Sequence, residues 1–150
     1  MLPAGTVSEE IENKGLSGGW AMSETRTIPV IAVVDDDKSV RESLAEFMES
    51  VGYEVVLFSS AEEFLESTRR CDDLACMILD VRLPGMSGPE LFSQLTVSRC
   101  SLPTIFITAH ADAAVAGCAT RPGVVSVLYK PFRPAALLEA VRSALIKSRP

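Results

Sequence analysis

The feature that most constrains the fold of this chain is a regular alternation of short apolar segments with amphipathic ones. Val30 to Val34 is a continuous apolar and mostly β-branched run, which is typical of a strand covered on both faces. The next segment, from Val40 to Val51, has apolar residues at helical spacing and ends before Gly52, a common helix stop. The alternation continues along the chain and predicts five strands and five helices.

The remaining predicted elements complete this pattern. The strands are expected at 53–58, 74–79, 102–107 and 124–129, and the helices begin near residues 60, 89, 111 and 134. The segment from Ser60 to Glu63 has the form of a capping box. Strands that alternate with helices form a parallel sheet, and the right-handed crossover rule leaves few topologies. We therefore predict a flavodoxin-like α/β fold, a doubly wound five-stranded parallel sheet in the order 2-1-3-4-5 with five helices.

Composition and charge exclude several classes of protein. The 150 residues suffice for one domain, and no apolar run approaches the ~20 residues of a membrane span. The net charge of −6 and the pI near 4.8 argue against a nucleic-acid binder, which needs a basic face. Residues 1–27 show neither helical nor strand periodicity. We expect a flexible leader there, followed by one domain at 28–148.

The cysteines form no recognisable metal site. Cys71, Cys76, Cys100 and Cys118 include no C-x-x-C pair, and the single histidine, His110, cannot complete the usual zinc sets. No secretory signal precedes the first strand. We therefore expect reduced cysteines in a cytoplasmic protein, with Cys76 packed as a small core hydrophobe. A redox role for Cys71 is the less favoured alternative.

Polar residues follow four of the predicted strands, at the carboxyl ends. These residues are Asp35, Asp36, Asp37, Asp80, Thr108 and Lys130. Strands one and three are neighbours in the predicted order, so their carboxylates converge, and two charges 4 Å apart repel by about 4 kcal/mol at an effective dielectric of 20. A Mg²⁺ ion would compensate this repulsion, and an aspartate beside it, faced by a lysine and a hydroxyl, can accept a phosphoryl group. Each residue also has an ordinary structural role; Asp37, for example, suits a helix N-terminus.

Four segments resemble the signatures of response-regulator receiver domains, in particular those of the nitrogen-fixation and LuxR type. The segments are Val33-Val-Asp-Asp-Asp-Lys-Ser-Val-Arg41, Leu79-Asp-Val-Arg-Leu-Pro-Gly-Met-Ser-Gly88, Ile107-Thr-Ala-His-Ala-Asp112 and Tyr129-Lys-Pro-Phe132. They occur in the family's order within residues 29–147. The resemblance implies a phosphoacceptor domain of a two-component phosphorelay.

The resemblance also implies a role for each site residue. Asp80 would accept a phosphoryl group from a phosphohistidine of a sensor histidine kinase or a phosphotransfer protein. Thr108 and Lys130 would each contact a phosphoryl oxygen. The residues implied to hold Mg²⁺ are Asp36, Asp80 and the main-chain oxygen of Arg82, with Asp35 acting through a water. Phosphorylation would change the surface formed by helix four, strand five and helix five.

Further features of the family fall on residues of this chain. Lys130–Pro131 would be a cis peptide, and Pro84 and Gly88 would shape the loop after the acceptor. Arg82 and His110 occupy the positions that tune the lifetime of the phosphoryl group.

The sequence departs from the family pattern in two places. Val127 stands where the family often has a Tyr or Phe switch, and we expect Tyr129, on the same strand face, to be a partly buried packing residue rather than a substitute. The fourth helix, at 111–120, contains Gly117 and a single charge, Asp112. We expect it to form a short, mobile, apolar patch, part of a surface at 111–147 that docks an output partner or a second copy of the chain.

Other functions stay open beside the phosphoacceptor. A degenerate receiver would bind partners without phosphorylation. A phosphatase of the haloacid-dehalogenase kind would use the Asp35-x-Asp37 pattern, but Lys38-Ser39 follows it in place of the Gly-Thr continuation. A flavin carrier is disfavoured because the carboxylates would repel its phosphate. The favoured interpretation is a signalling domain, not an enzyme beyond phosphotransfer to itself and autodephosphorylation, acting alone or within a longer regulator.

Overall fold

The structure of the protein is a computed structural model that describes residues 28–67, 71–111 and 113–147. Three expectations fall outside the described residues. They concern the leader at 1–27, the charge of Asp112 in the fourth helix, and the far end of the domain at 148.

Strands and helices alternate along the described chain, as predicted. The strands are β1 (Val30–Val34), β2 (Glu54–Phe58), β3 (Cys76–Asp80), β4 (Thr104–Thr108) and β5 (Val124–Tyr129). The helices are α1 (Lys38–Ser50), α2 (Ala61–Glu66), α3 (Gly88–Val97), α4 (Ala113–Ala119) and α5 (Pro134–Lys147). A short 3₁₀ turn, Cys71–Asp73, precedes β3.

The five strands form one parallel sheet in the order β2-β1-β3-β4-β5, which confirms the predicted topology. The register aligns the carboxyl ends of the central strands, because Val34 of β1 lies opposite Leu79 of β3. The residues that follow this pair, Asp35 and Asp80, therefore emerge at the same edge of the sheet.

Two hydrophobic layers enclose the sheet. Helices α1 and α5 cover one face, where Met48 and Val141 are fully buried against Ile31, Ile78 and Ile105. Helices α2, α3 and α4 cover the other face. There the rings of Phe92 and Phe106 pack edge to face with their centroids 5.7 Å apart. Because both faces are covered, the central strands β1, β3 and β4 are buried along almost their whole length, and they are apolar except for Asp80, Thr104 and Thr108.

The predicted helix starts are confirmed in part. Asp37 caps α1 and accepts hydrogen bonds from the backbone N–H groups of Ser39 and Val40. Ser60 caps α2 by accepting from the N–H of Glu63 at 3.0 Å. The Glu63 carboxylate, however, accepts from the N–H of Ser59 at 2.6 Å, so only half of the predicted capping box is formed with Ser60.

The expectation that all four cysteines are reduced is wrong for one pair. Cys71 and Cys100 form a disulfide with their Cα atoms 5.9 Å apart, whereas Cys76 and Cys118 are free and buried, as expected for Cys76. The physical reason is topological. The turn before β3 and the turn after α3 meet because β3 and β4 are neighbours, and a sequence separation of 29 gives no sign of that meeting.

Within the described ranges, no helix is both long enough and apolar enough to cross a membrane.

Candidate functional site

Three carboxylates converge where β1 and β3 end. Asp35, Asp36 and Asp80 each place one oxygen within 4.8 Å of the others. Asp35 is fully buried and Asp80 is 5% exposed, while Asp36 faces solvent. The predicted convergence at the switch point of the sheet is therefore present. Burial makes the repulsion between the two inner carboxylates stronger than it would be in water.

Lys130 brings a positive charge between the two buried carboxylates. It follows the end of β5, and its Nζ atom lies 3.0 Å from Asp35 Oδ2 and 3.1 Å from Asp80 Oδ2. Its side chain is 22% exposed, so this double ion pair is largely shielded from water. One lysine faces three carboxylates, and the cluster keeps an excess of negative charge.

The surroundings shift the ionisation of the buried groups. Burial, and then repulsion by Asp35, raise the pKa of Asp80 to about 6, although Lys130 acts in the opposite direction. Burial alone would lower the pKa of Lys130, but the hydrogen bonds and charges of Asp35 and Asp80 outweigh it and raise that pKa. Lys130 is therefore held as a cation at neutral pH.

Backbone N–H groups fix the orientation of the two buried carboxylates. Asp80 Oδ1 accepts a hydrogen bond from the N–H of Arg82 at 3.1 Å, and Asp35 Oδ1 accepts from the N–H of Asp37 at 2.8 Å. The guanidinium of Arg41 donates to the carbonyl oxygen of Asp35 at 2.7 Å. Arg41 lies in the first motif, but sequence reasoning gave it no role. The available signal was its position six residues after Asp35, in the first turns of the helix that follows β1. From there the guanidinium can reach back to the carbonyl oxygen at the end of the strand.

Thr108 ends β4 and is fully buried. Its hydroxyl donates to the carbonyl oxygen of His110 at 3.0 Å and accepts from the N–H of the same residue at 3.1 Å. The hydroxyl is thus engaged with the loop that leads to α4. The structure places Thr108 at the same edge of the sheet as the acidic cluster, as predicted.

The loop after Asp80 depends on a close backbone approach. A side chain at Gly88 would overlap the carbonyl oxygen of Asp80, so only glycine fits there, in agreement with the expected role of Gly88. The Glu62 carboxylate of α2 accepts a hydrogen bond from the N–H of Met86 in this loop. Sequence reasoning missed Glu62, since an acid in the first turn of a helix is ordinary and Met86 is 24 residues away.

The end of β5 contains three of the remaining predicted features. The Lys130–Pro131 peptide is cis, as the family resemblance implied. Val127 is partly buried against the hydrophobic layer that includes α4. Tyr129 is 48% exposed, so its ring faces solvent more than the expected packing role requires.

Comparison with known proteins places this fold and site in a family. Residues 31–142 match the response regulator receiver domain. The chain is 44% identical to nodulation protein W of Bradyrhizobium diazoefficiens over 132 residues, which are 88% of this chain and 58% of that protein. It is 43% identical to the response regulator protein TodT of Pseudomonas putida over 116 residues, 77% of this chain and 51% of that protein.

A solved structure supports the same family assignment. The low-resolution structure of the response regulator StyR superposes with a TM-score of 0.76 at 44% identity, covering 81% of this chain and 61% of that one. The chain thus spans little more than half the length of the curated relatives that it matches. It belongs to the response regulator receiver domains, the signalling domains of two-component systems.

Proposed function

We propose that Asp80 is the phosphoacceptor of this receiver domain and takes its phosphoryl group from a phosphohistidine of a sensor histidine kinase or a phosphotransfer protein. The single observation that supports this most directly is the position of Lys130 Nζ, 3.0 Å from Asp35 and 3.1 Å from Asp80. Lys130 lies between Asp80 and a second buried carboxylate, so a phosphoryl group on an Asp80 oxygen would meet a positive charge already in place. A purely structural aspartate at a turn needs none of these neighbours.

The transfer uses groups already oriented in the site. One carboxylate oxygen of Asp80 forms a bond to phosphorus while the phosphorus–nitrogen bond of the donor breaks and leaves its electron pair on the imidazole nitrogen. The N–H of Arg82 holds Asp80 Oδ1 in place. Lys130 pairs with a phosphoryl oxygen once the negative charge arrives, and its raised pKa keeps it protonated for that purpose.

The donor set fits Mg²⁺, which prefers carboxylate and carbonyl oxygens. Three carboxylates within 4.8 Å of one another, faced by one lysine, leave a charge that a divalent cation would balance. Asp36, Asp80 and the main-chain oxygen of Arg82 would hold the ion, with Asp35 acting through a water. Bound there, Mg²⁺ would offset negative charge on the transferring oxygens.

Thr108 provides a route from the site to the rest of the domain. Its hydroxyl now hydrogen-bonds to His110 in the loop before α4. A phosphoryl group on Asp80 offers a stronger, charged acceptor. If the Thr108 hydroxyl turned toward the phosphoryl group, it would lose its hydrogen bonds with His110, and the loop before α4 would be free to move. We propose that this alters the surface at 111–147, which binds an output partner or a second copy, with Val127 in place of an aromatic switch.

The alternatives fit the site less well. A degenerate receiver would lack one or more of the phosphoacceptor residues, yet the acidic cluster and Lys130 are all in place. A phosphatase of the haloacid-dehalogenase kind needs a pair of acidic residues after the fourth strand, and the segment between Thr108 and α4 contains a single acid, Asp112. We propose that the protein is itself phosphorylated once, on Asp80, and does not turn over a substrate repeatedly. We place this reaction in the cytoplasm, where phosphohistidine donors are made.

The test is the intact mass of the protein after incubation with acetyl phosphate and Mg²⁺. The wild type should gain one labile phosphoryl group, and Asp80→Asn should gain none. Omission of Mg²⁺ should abolish the gain. An unmodified wild type would refute the proposed chemistry, and steady release of phosphate by both proteins would favour the phosphatase.

A further inference from the structure

The disulfide between Cys71 and Cys100 lies at the edge of the sheet opposite the acidic cluster. Cys71 belongs to the 3₁₀ turn before β3, and Cys100 follows α3 shortly before β4 begins. The bridge therefore ties the start of β3 to the end of α3. The segment that it closes contains Asp80 and the whole loop after it.

The four cysteines fall into two chemical classes. Cys71 and Cys100 are partly exposed at the border of the hydrophobic layer, where a small thiol can reach them. Cys76 is fully buried and Cys118 is 2% exposed, and burial raises the pKa of Cys76 to about 12. Only the bridged pair is accessible to exchange with a dissolved thiol or disulfide.

The turn that holds Cys100 is conformationally strained. Arg99 has a φ of 64°, in the left-handed region that favours glycine. The N–H of Arg99 bonds to the oxygen of Thr96, and the N–H of Cys100 bonds to the oxygen of Leu95 at 2.9 Å. This is the Schellman ending of a helix with arginine in the position where glycine is usual. The disulfide holds the residue directly after the strained one, so its opening would give the turn freedom to relax.

We propose that Cys71 and Cys100 form a reversible redox site. Through it, the ratio of thiol to disulfide in the surrounding solution would set the stability of the segment from the start of β3 to the end of α3. Disulfides in reducing compartments are usually transient or redox-sensing, so the proposed cytoplasmic location requires a bond that opens and closes. The oxidant is a low-molecular-weight disulfide of the glutathione type.

The exchange proceeds in two steps. One thiolate of the pair attacks the small disulfide, forms a mixed disulfide and releases one small thiolate. The second cysteine thiolate then attacks the protein sulfur of the mixed disulfide and releases the other. Two protons leave the cysteines, and two electrons pass to the small disulfide. Reduction reverses both steps.

The experiment equilibrates the native full chain in buffers with graded ratios of reduced to oxidised glutathione, adds excess maleimide at neutral pH to label the free thiols without unfolding the chain, and measures the intact mass. Two thiols should titrate together as one two-electron step, while Cys76 and Cys118 remain unlabelled until the chain is unfolded. The matched control is the Cys71→Ser, Cys100→Ser double variant, which should show no labelling change. Thermal melts should place the oxidised form about 10 °C above the reduced form, because closure of a loop of this length restricts the unfolded chain.

Two outcomes overturn the proposal. Two free thiols that persist in fully oxidised glutathione would mean that the pair does not close in solution. A bond that closes but resists excess reduced glutathione in the native protein would mean a permanent structural crosslink. Neither readout depends on phosphorylation, so a failed phosphoacceptor test leaves this one intact.

Discussion

The carboxylate of Glu62 on α2 accepts a hydrogen bond from the backbone N–H of Met86, 2.8 Å away in the loop that follows Asp80. That hydrogen bond lowers the pKa of Glu62, which is therefore an anion at neutral pH. The loop fits closely around it, since a side chain at Gly85, whose φ is 73°, would lie 2.5 Å from Glu62 Oε2. Helix α2 thus tethers the loop that contains Arg82, the residue proposed to offer a main-chain oxygen to Mg²⁺.

Glu62→Ala should weaken the response of the site to Mg²⁺, because the loop loses its tether to α2. We expect the Mg²⁺ concentration that gives half the maximal phosphorylation rate to rise about tenfold, at the lower end of the effect of outer-shell partners of other metal ligands. The rate at saturating Mg²⁺ should change little. The measurement is phosphorylation by acetyl phosphate across a Mg²⁺ titration.

Two variants distinguish positioning from charge. Glu62→Gln keeps an oxygen that accepts from Met86 and should restore most of the Mg²⁺ response. Glu66→Ala removes an equal charge from the same helix and should behave as wild type. A shift of similar size in Glu66→Ala would show that long-range charge, rather than the tether, sets the response.

Most of the fold was predictable because its signals are local. The apolar run at Val30–Val34 and the helical period that ends near Gly52 each identify an element from neighbouring residues alone. Once the alternation is known, crossover handedness restricts the topology, and the carboxyl ends of β1 and β3 must meet. The convergence of Asp35 with Asp80 follows from that topology without knowledge of any side-chain contact.

Two of the features that sequence reasoning missed are contacts between elements that are distant in the chain. The Glu62–Met86 hydrogen bond and the Cys71–Cys100 disulfide span 24 and 29 residues. Neither has a local pattern, because each depends on how one loop lies against another element. The incomplete capping box at Ser60 has a local cause. The Glu63 carboxylate accepts hydrogen bonds from the N–H and the hydroxyl of Ser59 instead of from the N–H of Ser60.

Asp36→Asn should stabilise the metal-free protein by about 1 kcal/mol, since it removes one of three mutually repelling carboxylates. Asp36 faces solvent, which limits the gain. Mg²⁺ should raise the melting temperature of wild type more than that of the variant, because the ligand that binds the folded state more tightly stabilises it more at the same concentration. Thermal melts in EDTA and in Mg²⁺ measure both effects, and equal Mg²⁺ shifts would contradict the proposed metal site.

The metal-free protein should lose stability as the pH rises from 4.5 to 7. The pKa of Asp80 is about 6 in the folded protein against an ordinary value of 3.8, so the folded state binds more protons than the unfolded state within this window. Stability then falls as the pH rises, and it levels off above the folded-state pKa. Urea unfolding in EDTA at each pH gives the slope. In Asp80→Asn the contribution should vanish, and an unchanged slope there would assign it to other groups.

Two glycine substitutions should have opposite effects, because the surroundings of the two residues differ. Gly88→Ala places a methyl group against the carbonyl oxygen of Asp80, so we expect a loss of about 1 to 3 kcal/mol from overpacking and, if Asp80 is the phosphoacceptor as proposed, slower phosphorylation. Gly117→Ala lies inside α4, where the new carbon meets no atom within 4 Å beyond its chain neighbours and the helix's own backbone, and alanine should stabilise the helix by up to about 1 kcal/mol. Urea unfolding of both variants tests the pair. Both substitutions remove the same backbone freedom from the unfolded chain, so the difference between their free energies of unfolding reports the contact with Asp80. If Gly88→Ala were as stable as Gly117→Ala, the loop would be able to accommodate the methyl group without displacing Asp80.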